Sequence, residues 1–110
     1  MITRTKPFAV LAASLLCLAN NAFAQTDAGQ DALYVNSLAA SCAGCHGFQG
    51  KATEGTSAWA IAGLNKAYFV AQMQAFKSGA RPATVMHQLS KGLSDAQIQT
   101  LATYFAAQKK

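Results

Sequence analysis

The chain has 110 residues, 52% of them hydrophobic and only 12% charged, with nine Lys and Arg against four Asp and Glu. Such a length allows one small domain. The modest net charge of +5, with no Lys or Arg run interleaved with aromatics, excludes a nucleic-acid binder read from charge.

The first 24 residues read as a secretory signal. Arg4 and Lys6 make a basic start, Phe8 to Ala19 is apolar apart from Ser14, and Ala22-Phe23-Ala24 has the small-x-small cleavage pattern. The apolar stretch is 12 residues long, short of the roughly 20 that span a bilayer. Cleavage after Ala24 is therefore expected, with an uncleaved anchor as the alternative. Cys17 falls inside this segment, and Leu16 before it is too large for a lipoprotein site. The expected mature domain is 25–110, exported to the periplasm, with no membrane span. It retains two of the three cysteines, and with seven basic residues against four acids its charge is +3. That balance suits docking to acidic protein surfaces, although most scattered lysines are simply solvated.

Along the mature region the pattern is helical, without period-2 alternation or internal repeats. The first helix is predicted over about Ala28 to Ser41, started by Asp27 and Gln30 as a capping box, with Leu33, Tyr34 and Leu38 near one face. Gly47 to Gly63 is rich in Gly, Ala, Ser and Thr and reads as loop. A second helix begins after Asn65, carries Tyr68, Phe69, Gln72, Met73 and Phe76 at helical spacing, and stops at Ser78-Gly79. Arg81-Pro82 opens a shorter helical piece closed by Gly92. In the last helix Ser94 and Gln97 form a capping box, Leu93 staples onto Ile98, and Ile98, Leu101, Ala102 and Phe105 mark the buried stripe.

Cys42-Ala43-Gly44-Cys45-His46 is the pattern that carries chemistry. Cys-x-x-Cys-His is the attachment signature of c-type haem: two thiols one helical turn apart add to the vinyl groups, and the following imidazole reaches the iron. A redox dithiol would instead follow a strand in an alternating strand-helix chain. Zinc would need a fourth ligand, for which only His87 is at hand. A disulfide across only two intervening residues closes too small a loop to staple a fold usefully. A buried haem would also supply apolar core to a domain of 86 residues, near the size where a core alone is marginal.

An electron-transfer haem needs a sixth ligand. Met86, between Pro82 and Gly92 where the backbone can bend toward a buried group, is the assigned candidate. Met73 in a helix stripe reads as core filler, and His87 as a half-exposed side chain. Either of these, or an open sixth position, stays as the alternative.

Ser41-Cys42-Ala43-Gly44-Cys45-His46-Gly47, Met86 downstream and the closing Leu101-Ala102-Thr103-Tyr104-Phe105 resemble the class I cytochromes c. The stretch from Ala62 to Ala106 is similar, more narrowly, to the cytochrome subunit of flavocytochrome c sulfide dehydrogenase, and two-haem carriers share much of the pattern. The resemblance implies an all-α fold of about four helices around one covalent haem c. It implies Cys42 and Cys45 as thioether residues, and His46 and Met86 as axial ligands. The implied role is single-electron transfer with no catalytic activity of the chain alone, a flavoprotein being the expected partner. A free carrier to a terminal oxidase or another redox enzyme, and a ligand-binding or peroxidatic haem protein, are the alternatives.

The chain departs from the family where a proline usually precedes the glycine matching Gly63, its carbonyl accepting from the proximal histidine. Trp59 stands there. The backbone carbonyl survives this exchange, so the bond to His46 is expected to persist. The indole is expected to cover the core, or else to pack on the haem or donate to a propionate.

Overall fold

In a computed structural model, residues 29–55 and 58–110 are described. The signal assigned to 1–24, Cys17 and the Asp27 cap lie outside them. The described residues contain four helices, one 3₁₀ turn and no strand. Helix α1 covers 29–46. The 3₁₀ turn Phe48–Gly50 follows, then α2 (Lys66–Ser78), α3 (Val85–Lys91) and α4 (Asp95–Ala106). Tyr34–Lys110 forms one compact unit, and the core lies within it.

Two ends were set by side chains as the sequence predicts. Asn65 Oδ1 accepts from the Tyr68 N–H at 3.1 Å to start α2, and Gly79 closes it at φ 83°. Ser94 and Gln97 exchange side-chain and backbone bonds of 3.2 and 2.9 Å, completing the capping box of α4. The buried cluster is Ala39 from α1, Phe69 and Met73 from α2, and Ile98, Leu101, Ala102 and Phe105 from α4. Phe105 is its hub: its ring stacks on Phe69 at 5.7 Å and meets Tyr104 edge-on at 5.1 Å. Leu93 packs against the cluster from just before α4, where the staple places it. Lys77 ties α2 to α4, donating to the Leu93 carbonyl at 2.7 Å and pairing with Asp95 at 3.0 Å.

Three local expectations change. Helix α1 continues through Cys42 to His46 rather than ending at Ser41; Gly44 is tolerated inside it, and the stop is Gly47, whose φ of 79° leaves the helical region. On the same helix Leu38 packs against the core, but Leu33 and Tyr34 are exposed and the small Ala39 is the buried contact. Pro82 lies outside α3, which begins at Val85 with Thr84 as N-cap and no side-chain cap bond.

Candidate functional site

The extension of α1 puts Cys42, Cys45 and His46 on its last turns. Three residues of separation place the two sulfurs on neighbouring positions of one helical face. Both thiols are free, Cys45 exposed and Cys42 half-buried against the core cluster. Burial pushes the Cys42 thiol up, opposed by the Ser41 hydroxyl 3.9 Å away. Cys42 therefore stays a neutral thiol across the neutral range.

His46 is oriented by backbone. Its Nδ1 lies 2.6 Å from the Trp59 carbonyl oxygen. A carbonyl only accepts, so Nδ1 carries the hydrogen and the neutral ring keeps its lone pair on Nε2. This is the tautomer a metal-binding imidazole with a supporting acceptor requires.

The chain reaches that carbonyl by a loop folded back on the end of α1. The Ala52 N–H donates to the His46 carbonyl at 2.7 Å, and the Gly50 carbonyl accepts from both Ile61 and Ala62, at 2.7 and 2.9 Å. Gly63 then donates to the Phe105 carbonyl at 2.8 Å, anchoring the strap to the end of α4. Gly50 has φ 77°, and a Cβ there would meet Ile61 Cγ1 at 2.6 Å and Phe105 Cδ1 at 2.9 Å. Only glycine fits this close approach. In the sequence the one signal for Gly50 is that it is a second glycine three residues after Gly47 in a loop that must reverse.

Trp59 thus supplies its carbonyl as expected, but not its ring. The indole is 80% exposed, so the expectation of a core-covering aromatic is corrected: Ile61, Ala62 and Leu64 fill the space beneath the strap.

Met86 sits in the first turn of α3, half-buried and packed against the same apolar cluster as Cys42. Its carbonyl accepts from the buried Ser90 hydroxyl at 2.6 Å. Met73 is buried within the core of α2, the place of a filler. His87 Nε2 lies 2.6 Å from the Arg81 carbonyl, and so carries a hydrogen rather than a free lone pair. Among the described residues no three His, Cys, Asp or Glu side chains converge as a metal set, which leaves the zinc reading without its donors.

This donor set fits haem c: two free thiols at the required spacing, an imidazole with Nε2 prepared for iron, and a thioether bordering the same core. The apolar side chains of Phe48, Tyr68, Val85 and Leu89 remain exposed, each by about half or more. The polypeptide alone leaves this much apolar surface uncovered. No helix among the described residues is long and apolar enough to cross a membrane.

No family profile matches the chain. It is 41% identical over 71 residues to a thiosulfate dehydrogenase electron acceptor of Thiomonas intermedia, an alignment covering 64% of this chain and 33% of that protein. It is 37% identical over 68 residues to the cytochrome subunit of sulfide dehydrogenase of Chlorobaculum tepidum, covering 62% of this chain and 60% of the relative. Over 104 residues it is 33% identical to cytochrome c-552 of Acidithiobacillus ferridurans, covering 91% of this chain and 45% of that protein. The alignments span between a third and three fifths of these relatives.

Proposed function

We propose that the chain is a class I c-type cytochrome and a monohaem electron carrier, a reading supported by its similarity to cytochromes and to an electron acceptor. Cys42 and Cys45 would hold one haem c by thioethers, and His46 Nε2 and Met86 Sδ would be the protein ligands of its iron. The haem supplies a one-electron ferric-ferrous couple. The single observation that carries the reading is the His46 Nδ1 to Trp59 carbonyl bond, because it prepares Nε2 for a metal.

The chain's own residues do the rest. The end of α1 fixes the thiols and the imidazole in one piece of helix, and the strap through Gly50 holds the Trp59 carbonyl against ring rotation. A thioether ligand from Met86 would favour ferrous iron and raise the potential. An iron that took both His46 and Met86 as ligands would leave no position for a substrate, which suits electron transfer rather than bond chemistry. The small residues Ala43 and Gly44 beside the thiols permit close approach of a partner. The proposed partner is a dehydrogenase acting on a reduced sulfur compound, with a flavoprotein sulfide dehydrogenase as the specific case; the names of two relatives support this class. A secretory signal over 1–24, the reading of that segment proposed here, would put the exchange in the periplasm.

The test is expression with haem-maturation machinery, a denaturing gel stained for haem, and capture of partners from the native periplasm. A haem-stained band lost in the Cys42→Ser/Cys45→Ser variant, with a flavin-containing protein in the captured fraction, is expected. A band that persists in that variant contradicts the attachment, and elution alone with reduction of a terminal oxidase contradicts the subunit assignment.

A further inference from the structure

His87 is next to Met86, and its ring closes a loop. The Nε2 hydrogen bond to the Arg81 carbonyl at 2.6 Å spans residues 81 to 87, the segment that leads into α3. Arg81 is itself fixed to α2 in three ways. Its N–H donates to the Ala75 carbonyl at 3.0 Å, its Nη1 donates to Gln72 Oε1, and its guanidinium carbon lies 4.6 Å from the centre of the Phe76 ring.

The start of α3 needs such an anchor. The helix has seven residues, and its N-cap Thr84 makes no side-chain bond. An uncapped first turn frays, because its N–H groups have no partner within the helix. Met86 is the second residue of that turn. Ser90 secures the carbonyl of Met86 from within the helix, at 2.6 Å, but cannot hold the turn against α2. Apolar packing of Met86 on the core holds the turn from one side, and the polar link to α2 runs through Arg81 to His87.

Resting on the Met86 reading above, we infer that His87 is a positioning residue for the Met86 thioether: by donating to the Arg81 carbonyl it keeps the first turn of α3 closed on α2 and holds the sulfur in place for the iron. One neutral hydrogen bond is worth about 1 kcal/mol, or about fivefold in an equilibrium. Loss of the His87 bond therefore makes the thioether about fivefold easier to displace.

The experiment uses the ferric holoprotein and added imidazole as the competing ligand, with the near-infrared methionine-to-iron band reporting the thioether. Met86→Ala comes first, and it should abolish the band. In His87→Ala, imidazole should bleach the band at about one fifth of the wild-type concentration. His87→Gln should restore most of the difference, since a glutamine amide places an N–H near the position of Nε2. Ser94→Ala, which removes the acceptor of the Gln97 N–H at the start of α4 and none of the Arg81–His87 contacts, should leave imidazole affinity unchanged and so separates positioning from general loosening. A band that survives Met86→Ala removes the ligand reading and the inference with it. A band lost in Met86→Ala, together with wild-type imidazole affinity in His87→Ala, overturns the inference alone.

Discussion

Substitution of Gly50 by alanine tests the strap that orients His46. Two effects add at this position. A non-glycine residue at φ 77° is strained by about 1–2 kcal/mol. The new methyl carbon would also stand 2.6 Å from Ile61 Cγ1, 2.9 Å from Phe105 Cδ1 and 3.1 Å from the Ala62 nitrogen, and such overpacking costs about 1–3 kcal/mol. Gly50→Ala should therefore lose about 2–5 kcal/mol. Gly79→Ala is the matched control: its φ is 83° and nothing lies within 4 Å of the added carbon, so it should lose only the strain, about 1–2 kcal/mol. Urea unfolding of both holoproteins measures the difference. Because the Gly50 carbonyl holds Ile61 and Ala62, two and three residues from Trp59, the substitution should also weaken the bond to Nδ1, make the imidazole less electron-rich and raise the reduction potential. Gly79→Ala should leave the potential unchanged. Equal stability losses in the two variants, or an unchanged potential in Gly50→Ala, would refute the account of the strap.

Other consequences are more local. Trp59→Ala keeps the carbonyl and removes an exposed ring, so stability should change by no more than about 0.5 kcal/mol and the haem absorption spectrum should not move. Phe105→Ala removes the hub of the core and should cost about 3–5 kcal/mol in urea unfolding. Asp95 is held below the usual carboxylate range first by its bond from Gln74, then by the bond and charge of Lys77. Its folded value is depressed, so its contribution is present above the unfolded value of about 3.9 and is lost as pH falls through the folded value. The acid side of a stability-pH profile should accordingly flatten in Asp95→Asn; as the group is exposed, added salt should shrink the difference.

The sequence carried the helices whose ends are written in side chains. Asn65, Gly79, Ser94 and Gln97 act locally, and Ile98, Leu101, Ala102 and Phe105 repeat with the helical period, so α2 and α4 were legible. The end of α1 was not, because Gly44 looks like an earlier breaker than Gly47, and only the positive φ at Gly47 distinguishes them. Pro82 was read as a helix start from its preferred first-turn position, while the Arg81 carbonyl was needed for His87 three residues into the helix that follows. Cys42, Cys45 and His46 were legible as a motif since their chemistry depends on fixed spacing. Met86 stands out for its place between Pro82 and Gly92 among few candidate ligands, and Trp59 only through the family position it occupies. The acceptance of the Nδ1 hydrogen by the Trp59 carbonyl and the close approach at Gly50 depend on contacts between segments distant in sequence, which no local pattern records.

His46 and Met86 are proposed as the two protein ligands of one redox-active iron. An anaerobic redox titration of the holoprotein at neutral pH, run with and without carbon monoxide, tests it most directly. A single one-electron transition that carbon monoxide does not displace is the predicted result. A ferrous form that binds carbon monoxide, with the transition shifted to higher potential, would contradict it and place the chain among haem proteins with an open iron.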